Sequence, residues 1–392
     1  MPRLSRSCVT SIRTGGQDLR KNGEGGRLQP LSVSLAVGTV GGRDEWRGME
    51  LRTLGNSGTL VSALGLGTMT FGNETDEATA HEQLDTFVEG GGTFVDTADV
   101  YTRGASEEIV GSWLASTPKR GSIVLATKGR FPMSDDPLDR GASRRHLLSA
   151  IDASLTRLGV DHVDLYQVHG WDPLTPLEES VSALDTMVQS GRTRYVGWSN
   201  VTAWQMQRII DLCERDGLAV PITLQPQYNL LDRTVELDIM PMSVANGIGL
   251  LPWSPLGGGW LSGKYKADER PTGASRLGED PNRGVEAYDK RNVDATWRVL
   301  RVVEEIAADR GASMAQVALA WVRDRPTVSS VLLGARTVDQ LTDNLAATGL
   351  TLTDDETQRL TEVSAPGIPP YPHGMIRKAC GETIWDDLGT TT

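Results

Sequence analysis

Cysteine is scarce in this chain: Cys8, Cys213 and Cys380 are an odd number at wide spacings in 392 residues. That forms neither a disulfide framework nor the paired spacing of a zinc site, and a reducing cytoplasm is the simplest setting. Apolar runs are short, and none reaches the roughly 18 residues that a membrane-spanning helix needs. Positive charge is in deficit. With 39 Lys and Arg against 51 Asp and Glu, the formal net charge is -12, which argues against a nucleic-acid partner. The five histidines show no metal-ligand cluster, and no Gly-x-Gly-x-x-Gly turn follows the first strand-like run, as it would in an open doubly wound dinucleotide fold. A soluble protein acting on small molecules is the class these absences leave.

Residues 1–48 are rich in Ser, Gly and Arg and lack a helical or strand period. They read as a disordered extension ahead of a natural beginning at Met49. From Leu51 onward, β-branched runs alternate with amphipathic stretches. RTLGNSGTLV places a Gly-Asn-Ser-Gly turn between two strand-like pieces, which predicts a hairpin. Eight core strands follow at 62–67, 93–98, 122–128, 162–169, 193–200, 222–228, 249–256 and 330–335. The segments between them are helical in pattern, and several end at Gly. Strand and helix alternating eight times predict a (β/α)8 TIM barrel over 49–364, preceded by the hairpin. The long interval between the seventh and eighth strands predicts an excursion loop plus two helices. A proline-rich tail, 365–392, is expected over the catalytic face.

Four polar residues stand at or just past strand ends: Asp96 and Tyr101 in FVDTADVY, Lys128 in IVLATK, and His169 in VDLYQVHG. A buried strand has little reason to end this way unless it opens onto something polar, and in such a barrel that end carries the active site. Reducing a carbonyl requires hydride at carbon and a proton donor at oxygen. Tyr101 can supply the proton, Lys128 can favour its phenolate, Asp96 can hold the lysine, and His169 can hydrogen-bond the carbonyl. Taken singly, each has a plainer reading as a packing tyrosine, a solvated lysine or a structural histidine. On three successive strands of one barrel they point to one site.

These motifs resemble those of the aldo-keto reductase family. DTADVY, ATK and QVHGWD are followed in order by GWSN, QPQYN, PWSPLGGGWLSGKY and LLGARTVDQLTDN, with GLGTMTFG ahead of them, and the likeness covers Met49 to about Ser364. The resemblance implies a catalytic tetrad of Asp96, Tyr101, Lys128 and His169, with Tyr101 as the acid, below an extended nicotinamide cofactor. It further implies Ser199, Asn200 and Gln225 on the carboxamide, Trp253 stacked on the ring, and Gly67, Thr68 and Met69 bordering the nicotinamide. Ser254, Pro255, Leu256, Gly258 and Lys264 match the loop around the pyrophosphate. After the eighth strand, Gly334 and Ala335 replace the Lys and Ser of some branches, while Arg336, Gln340 and Asn344, with Arg276 in the excursion, remain as a clamp for a 2′-phosphate.

That set resembles the branch related to potassium-channel β-subunits, and the implied cofactor is NADPH/NADP+. Phe71 and Trp171 read as substrate walls. The implied activity is reversible reduction of an aldehyde or ketone by a cytoplasmic enzyme. Its partner is a small-molecule carbonyl, with no nucleic acid or membrane involved, and a homo-oligomer is left open. The alternative is an NADP(H)-binding regulatory subunit. Gly258 and Gly263-Lys264 have the spacing of a nucleotide-triphosphate loop, but Tyr265 stands where the magnesium-binding Ser or Thr would be.

Overall fold

The computed structural model describes residues 48–273, 275–282 and 284–380. The expected extension therefore falls, but for its last residue, outside the described residues, as does the end of the tail at 381–392. Strands β1 (Leu51–Thr53) and β2 (Leu60–Ser62) pair antiparallel as the predicted hairpin. The chain then enters the barrel at β3 (Leu64–Gly67), so the strand expected at 62–67 is divided, its first residue belonging to the hairpin. Seven parallel strands follow: β4 (Phe94–Asp96), β5 (Val124–Gly129), β6 (Val163–Val168), β7 (Thr193–Ser199), β8 (Thr223–Gln225), β9 (Gly249–Leu250) and β10 (Val331–Leu333). The sheet runs β10-β3-β4-β5-β6-β7-β8-β9. It closes on itself where Leu250 bridges Val328 and the Leu332 N–H donates to the Pro252 carbonyl at 3.0 Å. The architecture is the (β/α)8 barrel.

Helices α1 (Glu77–Glu89), α2 (Ala105–Ser116), α3 (Arg144–Leu158), α4 (Leu177–Gln189), α5 (Ala203–Asp216) and α6 (Ile239–Asn246) connect successive strands. The interval before β10 holds two short helices, α7 (Arg276–Glu279) and α8 (Tyr288–Arg291), then α9 (Asp294–Arg310) and α10 (Met314–Arg323). This is the excursion plus two helices that its length predicted. Helices α11 (Val338–Leu345), α12 (Asp354–Val363) and α13 (Met375–Cys380) complete the described chain. In the tail expected over the catalytic face, Tyr371, Met375 and Ile376 are exposed.

Two apolar layers follow from the two-residue period of the strands. Leu64, Leu66, Val95, Leu125, Tyr166 and Val168 pack outward against the helices. Leu54, Val61, Phe94, Ala126, Leu165, Leu251 and Leu332 form a separate inner cluster, so the hairpin's Leu54 and Val61 plug the barrel at its N-terminal end. Gly55 lets the hairpin turn sit on the barrel floor: it has φ +56, and a Cβ there would strike the Ile222 carbonyl.

Candidate active site

The strand period that sends Phe94, Ala126 and Leu165 into the barrel sends Asp96, Lys128 and Gln167 in after them, two residues nearer the C-terminal mouth. Lys128 is fully buried, and its Nζ donates to Asp96 Oδ2 at 2.6 Å, the Thr97 carbonyl at 2.8 Å and the Tyr101 hydroxyl at 3.1 Å. Those three bonds use every hydrogen of the ammonium. Asp96 Oδ1 accepts in turn from Gln225 Nε2 at 3.0 Å and Gln167 Nε2 at 3.1 Å. Burial opposes the charge on Lys128, but Asp96 and Tyr101 outweigh it and hold its pKa above the ordinary lysine value. Burial also pushes the Asp96 carboxyl up, while Lys128, Gln225 and Gln167 pull it down. Three donors on one carboxylate favour the ionised pair.

Tyr101 departs from expectation in one respect. Burial raises its phenol above the ordinary value and outweighs the downward pull of Lys128. Lys128 does draw the phenol toward phenolate, as expected, but burial sets the net direction and keeps the proton on Tyr101. The chain turns sharply just past it, with Thr102 and Arg103 at φ 48 and 52, and the Thr102 hydroxyl donates to the Phe71 carbonyl at 3.0 Å. His169 stands edge-on to Tyr101, ring centroids 5.8 Å apart, with Phe131 at 4.6 Å. Burial, reinforced by Lys128 and Arg130, holds its pKa well below the ordinary histidine value, so the imidazole is neutral. Its Nδ1 is buried without a hydrogen-bond partner.

A cavity of about 440 Å³ opens onto Asp96, Tyr101 and His169. Of the residues that the resemblance assigns to a cofactor, Gly67, Met69, Ser199, Asn200, Gln225 and Trp253 line it, as do Ser254, Pro255, Leu256, Gly258 and Lys264. Arg276, Gly334, Arg336, Gln340 and Asn344 line it too. Thr68 does not: it is fully buried, its hydroxyl 2.8 Å from Ser106 Oγ. Lys128 lies beneath the lining. Phe71 is fully buried in the outer core, and Trp171 sits off the cavity beside Trp198 and Trp204.

Several polar groups expected on the carboxamide brace strand ends to one another. The Ser199 hydroxyl donates to the Gln225 carbonyl at 2.9 Å. Asn200, at φ 55, donates from Nδ2 to the His169 carbonyl and accepts from Trp253 Nε1, both at 3.0 Å.

The far end of the cavity is cationic. Lys264, Arg276 and Arg336 line it together, and burial with the two guanidiniums holds the Lys264 ammonium below its ordinary pKa. Gly258 and Gly259, at φ 67 and 92, present bare Cα atoms; a Cβ on Gly259 would strike the end of the Lys264 side chain. Converging cations beside a glycine turn suit a polyanionic ligand, so the residues present fit a nicotinamide dinucleotide. Sequence reasoning missed Gln167, Phe131, Glu279 and Glu286. Gln167 was within reach of the strand period, two residues past the inward Leu165. The two glutamates lie in an excursion without a period.

Comparison with known proteins agrees with this geometry. Residues 63–365 match the sequence model of the aldo/keto reductase family. The chain is 36% identical over 328 residues to "Uncharacterized oxidoreductase YrpG" of Bacillus subtilis (strain 168), an alignment covering 81% of this chain and 97% of the relative. A "Probable voltage-gated potassium channel subunit beta" of Oryza sativa subsp. japonica is 36% identical over 305 residues, 76% of this chain and 91% of the relative. "Versiconal hemiacetal acetate reductase" of Aspergillus parasiticus is 34% identical over 346 residues, 81% and 98% of the two chains. A match of this extent, over a barrel whose mouth joins Asp96 and Tyr101 through Lys128 with His169 edge-on to the tyrosine, leaves one conclusion. The chain belongs to the aldo/keto reductase family, oxidoreductases that generally use nicotinamide cofactors and act on small carbonyl compounds.

Proposed function

We propose that this protein is an NADP(H)-dependent reductase of aldehydes or ketones, working reversibly in the cytoplasm with Tyr101 as the proton donor. The observation that carries the reading is the three-way grip of Lys128 on Asp96, the Thr97 carbonyl and the Tyr101 hydroxyl, directly beneath the cavity. Bound dihydronicotinamide supplies a hydride to the carbonyl carbon. Tyr101 meets the negative charge that develops on the carbonyl oxygen with its phenolic proton. Lys128, kept cationic by Asp96, stabilises the phenolate left behind. Gln167 and Gln225 keep Asp96 from turning away. Neutral His169 offers a hydrogen bond to the same oxygen without competing as an acid.

Lys264, Arg276 and Arg336 would hold the cofactor's phosphates, and three guanidinium or ammonium groups at one end favour NADP(H) over NAD(H). Relatives named as reductases support turnover of a carbonyl substrate. The relatives named as potassium channel β-subunits favour the second reading, a cofactor-sensing regulatory subunit.

Following NADPH absorbance with a panel of carbonyls separates the two. Turnover supports the enzyme, whereas tight NADPH binding without turnover of any carbonyl supports the sensor. Tyr101→Phe is the sharper arm: it should lower kcat by about 10²–10⁴-fold while leaving the Kd for NADPH nearly unchanged. Equal activity of the variant would remove Tyr101 from its role.

A further inference from the structure

Two carboxylates of the excursion, Glu279 and Glu286, engage the cationic end of the cavity. Glu286 is the more deeply held. Its side chain is 4% exposed, its carboxylate accepts from the Ser254 hydroxyl, and it lies 3.4 Å from Arg276 Nε, an ion pair by distance. Its backbone carbonyl accepts from Trp260 Nε1 at 3.0 Å. The same side chain packs on the bare Cα of Gly258, where any Cβ would strike the carboxyl group. The Gly258 N–H in turn donates to Ser254 Oγ at 3.2 Å. Glu279, on α7, accepts from Arg336 Nη2 at 2.5 Å, and Glu74 approaches that guanidinium at 3.7 Å.

The Ser254 hydroxyl and the Arg336 guanidinium, which fit a dinucleotide's phosphates, thus already donate to carboxylates of this chain, and the Arg276 guanidinium is ion-paired with one. Carboxylate and phosphate oxygens accept the same charge-assisted hydrogen bonds from the same donors. One donor hydrogen serves one of them at a time.

We propose that Glu286 and Glu279 are built-in competitors of the cofactor's phosphates. They take up the Ser254 hydroxyl and the Arg336 guanidinium, pair electrostatically with Arg276, and weaken cofactor binding by what it takes to give those partners up. This inference rests on the reading of the cavity as an NADP(H) site. The two glutamates differ in what they oppose. Glu286 sits at the turn beside Ser254, which serves any nicotinamide dinucleotide. Glu279 engages Arg336, the candidate partner of a 2′-phosphate, so its effect is confined to the phosphorylated cofactor.

The test is direct binding. NADP+ and NAD+ are titrated separately into the full-length wild type, Glu286→Gln and Glu279→Gln, with Kd read from quenching of tryptophan fluorescence, Trp253 being in the cavity wall. Glu286→Gln should bind NAD+ about tenfold more tightly and NADP+ at least as much, since Arg276 is released along with Ser254, and Glu279→Gln should tighten NADP+ by about three- to tenfold while leaving NAD+ unchanged. Glu279 is exposed on a four-residue helix, so its variant decides the matter if Glu286→Gln fails to fold. Unchanged or weaker NADP+ binding in the folded variants, with a wild type that binds NADP+, overturns this inference alone. A wild type that binds neither dinucleotide overturns the NADP(H) reading together with it.

Discussion

Two residues before the tyrosine, Asp99 is buried with neither carboxylate oxygen hydrogen-bonded. It faces outward, away from the barrel axis, toward Glu107 of α2, Arg157 of α3 and Tyr166 of β6, with Lys128 on the neighbouring strand. Arg157 is taken up by Glu107 at 2.7 Å, so it neutralises Asp99 only in part. Burial and Glu107 push the Asp99 carboxyl from 3.8 up to about 8. A folded-state pKa raised above the unfolded one gives stability that is whole below the unfolded value and is lost as pH rises through the folded value. Denaturation midpoints should therefore fall between about pH 4 and 8 and level off above that. Asp99→Asn, a neutral isostere, should abolish that slope and gain on the wild type as pH rises, by a few kcal/mol at most. Urea titrations at several pH values read this directly, and parallel curves for the two proteins would refute it. The gathering of Asp96, Tyr101, Lys128 and His169 was legible residue by residue because they share strand ends. Asp99 was not, because its strain comes from α2 and α3, distant in sequence.

At the scale of elements, the site is a set of strand ends tied together. Asn200 ends β7 in a left-handed conformation and reaches to the ends of both β6 and β9 through His169 and Trp253. Asn200→Ala should cost about 2 kcal/mol, the sum of strained φ and two lost hydrogen bonds, whereas Asn200→Gly should cost less because glycine tolerates the backbone. Both should weaken NADPH binding, since each frees the indole of Trp253 and the His169 backbone. Chemical denaturation and cofactor titration check the two halves, and equal stability of the two variants would show that the backbone conformation carries no strain. The existence and order of all eight strands were legible from short apolar runs. Their lengths were less so: the strand expected at 249–256 is regular only over Gly249–Leu250, with an isolated bridge from Trp253 to Gln227 beyond it, because Pro252 and Pro255 remove ladder donors and the chain bends into the glycine turn.

At the scale of the whole molecule, the candidate site and the closure lie at opposite ends of the barrel. The hairpin plugs the N-terminal end, and Arg52 of β1 ties it to the last barrel turn through the Val328 carbonyl at 3.2 Å and Asp324 at 3.3 Å. Gly55→Ala places a Cβ against the Ile222 carbonyl at a positive φ. The expected loss is about 2–4 kcal/mol of stability, with KM for NADPH unchanged in the protein that remains folded. Thermal unfolding and steady-state kinetics on one preparation test this. A shift in KM would mean that the floor of the barrel communicates with its mouth.

The amino-acid sequence by itself determined the barrel, the hairpin, and which strand ends carry Asp96, Tyr101, Lys128 and His169. Strand period and turn chemistry are local, and a polar residue ending an apolar run stands out within one element. Only tertiary structure decided that burial, not Lys128, dominates the Tyr101 phenol, that Phe71 belongs to the core, and that Glu286 and Glu279 engage the cations at the cavity's end. Each of these depends on which groups from separate elements share a buried volume, and desolvation and charge pairing are properties of that volume rather than of any one segment.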